Sequence, residues 1–103
     1  MEAPYASIPY NLMQEVDSVK VSCSDDRLNV RILGGLRQDN PADVMRGEET
    51  QIRGFLSIFS NFDGIICLPG THTKWVHVSA GEVISFRTFM SGELFDLLSK
   101  YSV

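Results

Sequence analysis

The run Ile65-Ile66-Cys67-Leu68-Pro69 is five apolar residues long and is cut off by Gly70. Its length and the Pro-Gly break predict a strand buried on both faces rather than a helix. The residues after Pro69 are small and polar. Gly70, Thr71 and Thr73 offer backbone N–H groups and two hydroxyls where the strand ends, a composition suited to holding phosphate oxygens at close approach. The same residues also suit a tight turn that uses Gly and Thr only for their backbone, so both readings stand at this point.

Composition narrows the classes. At 103 residues and 44% hydrophobic content, the chain is predicted to be a single domain around one core. A formal charge of -4 with no basic cluster argues against nucleic acid or an anionic membrane as partner. Cys23 and Cys67 lie far apart with no CxxC spacing, which speaks against a disulfide framework or a zinc site and for a cytoplasmic protein. The longest apolar run is far below membrane-spanning length, and no charged-then-apolar leader is visible.

Along the chain, Pro4 and Pro9 with Tyr5 and Tyr10 make a loop-like lead. Leu12, Met13, Val16 and Val19 then fall at helical spacing, predicting a short helix; Val19 to Cys23 alternates over too few residues to separate a strand from the helix's tail, and Ser24-Asp25-Asp26 breaks whatever precedes it. Asn29 to Leu33 reads as a strand ending in Gly34-Gly35, and Leu36 to Asp43 as a polar connection containing Pro41. Next comes a helix capped by Gly47, with Ile52, Phe55, Leu56, Phe59 and Phe62 on its buried face. Glu48 and Glu49 would occupy its first turn, where the macrodipole favours a carboxylate by about 0.3–1 kcal/mol. That alone accounts for both without any chemistry.

Beyond the central strand, Lys74 to Val78 and Glu82 to Phe89 alternate around Ser79-Ala80-Gly81, predicting a hairpin. Trp75 and His77 share one face, Val76 and Val78 the other, and Trp75 is expected in the core. Ser91 would cap a last helix carrying Leu94, Phe95, Leu97, Leu98 and Tyr101. The order helix, strand, helix, strand, hairpin, helix predicts an α/β fold with a mixed sheet.

Four blocks of this sequence, in order, resemble the 2-keto-3-deoxygalactonate kinases (2-dehydro-3-deoxygalactonokinases). They are Glu2-Ala3-Pro4-Tyr5, the block from Asp43 to Gln51 (DVMRGEETQ), Leu68 to Trp75 (LPGTHTKW) and Thr88 to Phe95 (TFMSGELF). Within them Thr73 stands where the family pattern has Ser, and Ser91 where it has Thr. The resemblance implies a partial actin, hexokinase and Hsp70-like (ribonuclease H-like) ATPase fold. Residues 1–62 would close one lobe and 63–103 would open the next. It also implies that a first phosphate loop and an adenosine-binding lobe lie outside this chain, making it the middle segment of a kinase.

The same resemblance implies ATP and Mg²⁺ as cofactors and a sugar acid as substrate, phosphorylated at its C6 hydroxyl. Glu48 is the expected catalytic base, with Glu49 as the alternative; Arg46 and Gln51 are the substrate-binding candidates. Gly70, Thr71, Thr73 and Lys74 are the phosphate-binding candidates. A guanidinium can grip a carboxylate through two parallel hydrogen bonds, although Arg46 would equally serve as an exposed partner of Glu48 or Glu49. His72 is expected to be a loop hydrogen-bonder, since a lone histidine is more often structural than metal-binding. The competing function class is a non-catalytic split or truncated module that binds sugar acid or a partner subunit. Either way, uncovered apolar surface would lead to self-association or to pairing with a complementing kinase fragment.

Overall fold

The computed structural model describes residues 4–14 and 18–101. Among these residues the elements run in the order β1 (Ala6–Ser7), β2 (Tyr10–Asn11), β3 (Ser18–Val21), β4 (Val30–Leu33), β5 (Leu36–Asp39), β6 (Ala42–Met45), α1 (Glu48–Ile58), β7 (Gly64–Leu68), β8 (Thr73–Ser79), β9 (Glu82–Phe89) and α2 (Ser91–Tyr101). They form a three-stranded sheet β1-β5-β6, a four-stranded sheet β2-β9-β8-β7 and the separate ribbon β3-β4. β1 pairs with β5 in parallel and β5 with β6 antiparallel, so the first sheet is mixed. The mixed α/β class is as the sequence predicts.

One core joins both sheets to α1. Leu36 and Met45 from the first sheet, Ile52 and Leu56 from α1, and Val76, Val78, Val83 and Phe86 from the second are all essentially solvent-free, together with Leu12. The helix face predicted from Ile52 onward is buried at Ile52 and Leu56, but α1 stops before Phe59. Phe59 is exposed, and it stacks on Phe55 with ring centroids 4.9 Å apart.

Two polar side chains clip the sheets together from inside. The Gln38 amide donates to the carbonyls of Pro41 (2.8 Å) and Phe86 (2.9 Å), and its oxygen accepts the Phe86 N–H at 2.9 Å. Lys74 Nζ donates to the Val44 carbonyl at 2.8 Å and to Thr88 Oγ1, whose hydroxyl donates to Asp43 Oδ2 at 2.6 Å. Each of these buried polar groups has partners, which is what makes its burial tolerable.

Several sequence expectations are corrected. No helix spans Leu12 to Val19 among the described residues: Asn11 accepts the Met13 N–H on its own side chain at 2.9 Å and closes a turn, and Val19 belongs to β3. Val16 lies outside the described residues. The connection from Leu36 to Asp43 is the hairpin β5–β6, with Leu36 and Gln38 buried and Arg37 and Asp39 exposed. A glutamine in an inward position disguised that alternation. β7 is covered on one face only: Ile65 and Cys67 on its other face are exposed beside Trp75, which is 48% exposed rather than in the core. A helix forms where α2 is predicted, but Ser91 is its first residue rather than its cap, the Met90 carbonyl accepting the Leu94 N–H at 2.8 Å, and none of its apolar residues is buried.

The β8–β9 hairpin turns tightly through Ala80 and Gly81, both at positive φ (53° and 78°). That backbone matches the twist of the flanking strands.

Candidate functional site

An open cleft of about 540 Å³ lies between the start of α1 and the loop joining β7 to β8. Arg46, Gly47, Glu48 and Gln51 line one side; Leu68, Pro69, Gly70, Thr71 and His72 line the other. The acidic helix start and the Pro-Gly-Thr loop, about 22 residues apart in sequence, therefore converge. They do so because β6 delivers the chain into α1 while α1 packs on the sheet that contains β7 and β8.

The helix side is set by Gly47. Its φ of 106° lies in the region that residues with a Cβ avoid, and it turns the chain from β6 into α1 without a side-chain cap. The two carboxylates after it fold back over it. Glu48 Oε2 accepts the Arg46 N–H at 3.1 Å, and Glu49 Oε2 accepts the Gly47 N–H at 2.7 Å. Consecutive helical residues point about 100° apart, so the pair diverges. Glu48 borders the cleft. Glu49 is only 5% exposed and borders a small interior cavity with Tyr10, Leu12, Gly35 and Arg53. Burial pushes the Glu49 carboxyl above its ordinary range, against the opposing pull of the backbone N–H groups of Glu49 and Gly47. Arg46 lies with its guanidinium 4.6 Å from the centre of the Tyr5 ring, a cation–π contact at the cleft edge.

The loop side is held by internal bonds. Thr73 is buried, and its hydroxyl accepts the Gly70 N–H at 3.2 Å and donates to the Gly70 carbonyl at 3.3 Å, closing the turn from 70 to 73. Gly70 itself is not at positive φ, and a Cβ there would meet nothing nearer than the His72 carbonyl at 3.8 Å. The fold alone does not require glycine at this position. His72 Nε2 sits 3.3 Å from Glu93 Oε2, tying the loop to α2.

Of the eight residues singled out from the sequence, the structure brings Arg46, Glu48, Gln51, Gly70 and Thr71 to the cleft wall. Thr73 acts within the loop, Glu49 faces the interior, and Lys74 is 5% exposed with its ammonium in the Asp43–Thr88 network. Two participants at the loop had no signal in periodicity or composition: Glu93, which pairs with His72, and Gly92, whose backbone packs on Gly70. Both lie in the TFMSGELF block, so the sequence marked the neighbourhood without its contacts. Among the described residues no three His, Cys, Asp or Glu gather as a metal site.

Residues 1–103 match the model of a kinase family described as 2-keto-3-deoxy-galactonokinase, and the chain belongs to that family. It is 39% identical over 104 residues to a Rhizobium meliloti (strain 1021) protein named as a probable 2-dehydro-3-deoxygalactonokinase, DgoK1, covering 99% of this chain and 34% of the relative. It is 37% identical over 103 residues to the 2-dehydro-3-deoxygalactonokinase of Escherichia coli (strain K12), covering 98% of this chain and 33% of that protein. A solved crystal structure of a Sinorhizobium meliloti protein assigned as a 2-dehydro-3-deoxygalactonokinase superposes with a TM-score of 0.85 at 39% identity, over 99% of this chain and 34% of that one. The chain thus spans about a third of the length of the relatives it matches and corresponds to a segment of a longer kinase.

Proposed function

We propose that this chain is the segment of a sugar-acid kinase that supplies the base and one phosphate loop for transfer of the ATP γ-phosphate to the C6 hydroxyl of 2-dehydro-3-deoxy-D-galactonate. The observation that carries this is the shared cleft of Glu48 and Thr71. A phosphotransferase of this kind must hold the acceptor hydroxyl in line with the γ-phosphorus and take up its proton as the new P–O bond forms and ADP leaves. Glu48 stands on the acceptor side. Thr71, by its amide and hydroxyl, stands on the donor side.

Gly70 gives the fit for a triphosphate. Nothing in the fold asks for glycine there, whereas a phosphate resting on the loop backbone does, because a Cβ would occupy the contact surface. Arg46 and Gln51 would receive the carboxylate and hydroxyls of the sugar acid from the rim. Thr73 contributes by fixing the turn, and Lys74 by joining β6 to β8 and β9 from within. Glu49 reads as an internal reinforcement of the helix start. Mg²⁺ would arrive with the nucleotide, since it is commonly held by phosphate oxygens and water with few protein ligands.

The larger frame of the reading is an ATPase of the actin, hexokinase and Hsp70 type in a cytoplasmic enzyme, with a first phosphate loop and an adenosine site supplied by other parts of the kinase. The second reading, a split module that binds without turnover, draws on the exposed apolar residues of α2. Self-association or a complementing kinase fragment is the partner class it calls for. Calorimetric titration of the chain with ATP·Mg²⁺ and with the sugar acid tests both: heat from the nucleotide that Thr71→Ala weakens is the expected result. Affinity for the sugar acid with none for the nucleotide would favour the second reading.

A further inference from the structure

The first turn of α2 is docked on the Gly70-Thr71 loop. Gly92 N–H donates to the Gly70 carbonyl at 3.1 Å and Glu93 N–H to the Thr71 carbonyl at 3.2 Å. These are two of the donors that a helix leaves without internal partners at its N-terminus. The first bond of the helical i to i−4 type at this end runs from Leu94 N–H to the Met90 carbonyl at 2.8 Å. The positive end of α2 is thus spent on protein carbonyls, and neither Gly92 nor Glu93 lines the cleft.

That arrangement fixes where the loop's own donors point. A trans peptide is planar, with its C=O and N–H on opposite sides. If the Gly70 carbonyl is drawn toward α2, the N–H of the same peptide, which belongs to Thr71, is turned away from α2. The Thr71 carbonyl fixes the His72 N–H in the same sense. Both residues line the cleft, and neither Gly92 nor Glu93 does.

The contact also explains a glycine. A Cβ on Gly92 would lie 2.6 Å from the Gly70 carbonyl oxygen and 3.0 Å from the Thr71 Cα, so any side chain at 92 pushes the helix off the loop. The His72–Glu93 contact at 3.3 Å adds a second tether beside it.

We infer that the α2 first turn, through the backbone of Gly92 and Glu93, is the positioning element that aims the Thr71 and His72 amides into the cleft as a pair of phosphate donors. This rests on the phosphate-loop reading of the cleft and specifies what holds the loop in its active shape. Gly92 touches no ligand in it.

The test is a titration of the full chain with inorganic pyrophosphate, followed by amide NMR. In the unaltered chain, Thr71 and His72 amides are expected to move with added pyrophosphate, while Gly92 and Glu93 amides keep slow hydrogen exchange and do not titrate. Gly92→Ala is expected to leave the β7, β8 and β9 amides in place and weaken pyrophosphate binding by about tenfold or more, as displaced binding groups do. Equal binding by a folded Gly92→Ala chain would overturn the inference. So would a pyrophosphate response centred on Gly92 and Glu93 in the unaltered chain, a measurement that stands even if the variant does not fold. Silence at Thr71 and His72 in the unaltered chain would instead remove the phosphate reading of the cleft itself.

Discussion

Glu48 and Glu49 are adjacent in sequence and border different cavities: the first the open cleft, the second a small interior space beneath the helix start. Their divergence gives two residues of the same charge separate consequences. Glu49 is buried, and burial raises its carboxyl above the ordinary value of 4.5. The folded state therefore holds that proton to higher pH than the unfolded chain does, so the contribution of Glu49 to stability is fully present below about pH 4.5 and falls as pH rises through its raised value. Glu49→Gln, which keeps an acceptor for the Gly47 N–H, is expected to flatten this part of the urea-midpoint profile and to cost little at neutral pH. A profile unchanged by the substitution would show that Glu49 is not the group responsible.

Gly70→Ala separates fold from ligand. With the nearest neighbour of the added methyl at 3.8 Å and no positive φ to relieve, thermal stability should stay within about 0.5 kcal/mol of the unaltered chain. Nucleotide affinity measured by calorimetry should fall by about tenfold, or ~1.4 kcal/mol. Loss of stability with unchanged affinity would assign the glycine to the turn.

Lys74→Met should act on the fold. It removes the cation from a network in which Asp43 Oδ1 lies 3.6 Å from Nζ and both side chains are largely covered. Removing one partner of such a buried pair costs about 3 kcal/mol. Adding Asp43→Asn should restore part of that in chemical denaturation. A variant of full stability that no longer binds nucleotide would place the ammonium at the phosphates.

Sedimentation addresses the uncovered surface. Leu94, Phe95, Leu97, Leu98 and Tyr101 on α2 are exposed, as are Ile65 and Trp75 on the outer sheet face. The chain should form dimers or larger species as its concentration rises, and charged substitutions at Phe95 and Trp75 should reduce them. A monomer at all concentrations would contradict this.

The parts legible in the sequence were those whose signal is local. Gly47 with two acidic residues and an apolar repeat after it marked the start of α1; the alternating runs on either side of Ala80-Gly81 marked the β8–β9 hairpin. The features that stayed hidden depend on partners distant in the chain. Gln38 reads as polar and hence as loop until Phe86, 48 positions away, supplies both halves of its amide with bonds. Leu12 at helical spacing is recruited to the common core from a turn closed by Asn11. The run at Ile65 reads as buried on both faces because its composition says nothing about which face of the sheet is left uncovered. At the site, the motif blocks located the cleft walls, but the inward turn of Lys74 and the docking of Gly92 on Gly70 are products of packing that no residue pattern carries.

The most direct test is steady-state phosphorylation of 2-dehydro-3-deoxy-D-galactonate by the polypeptide extended to the relatives' full length, with Glu48→Gln and Glu49→Gln made separately. Glu48→Gln should lower kcat by about 10²–10⁴-fold with KM little changed, the usual magnitude for removing a positioned base, while Glu49→Gln keeps most of its rate. Full turnover with Glu48→Gln would contradict the account.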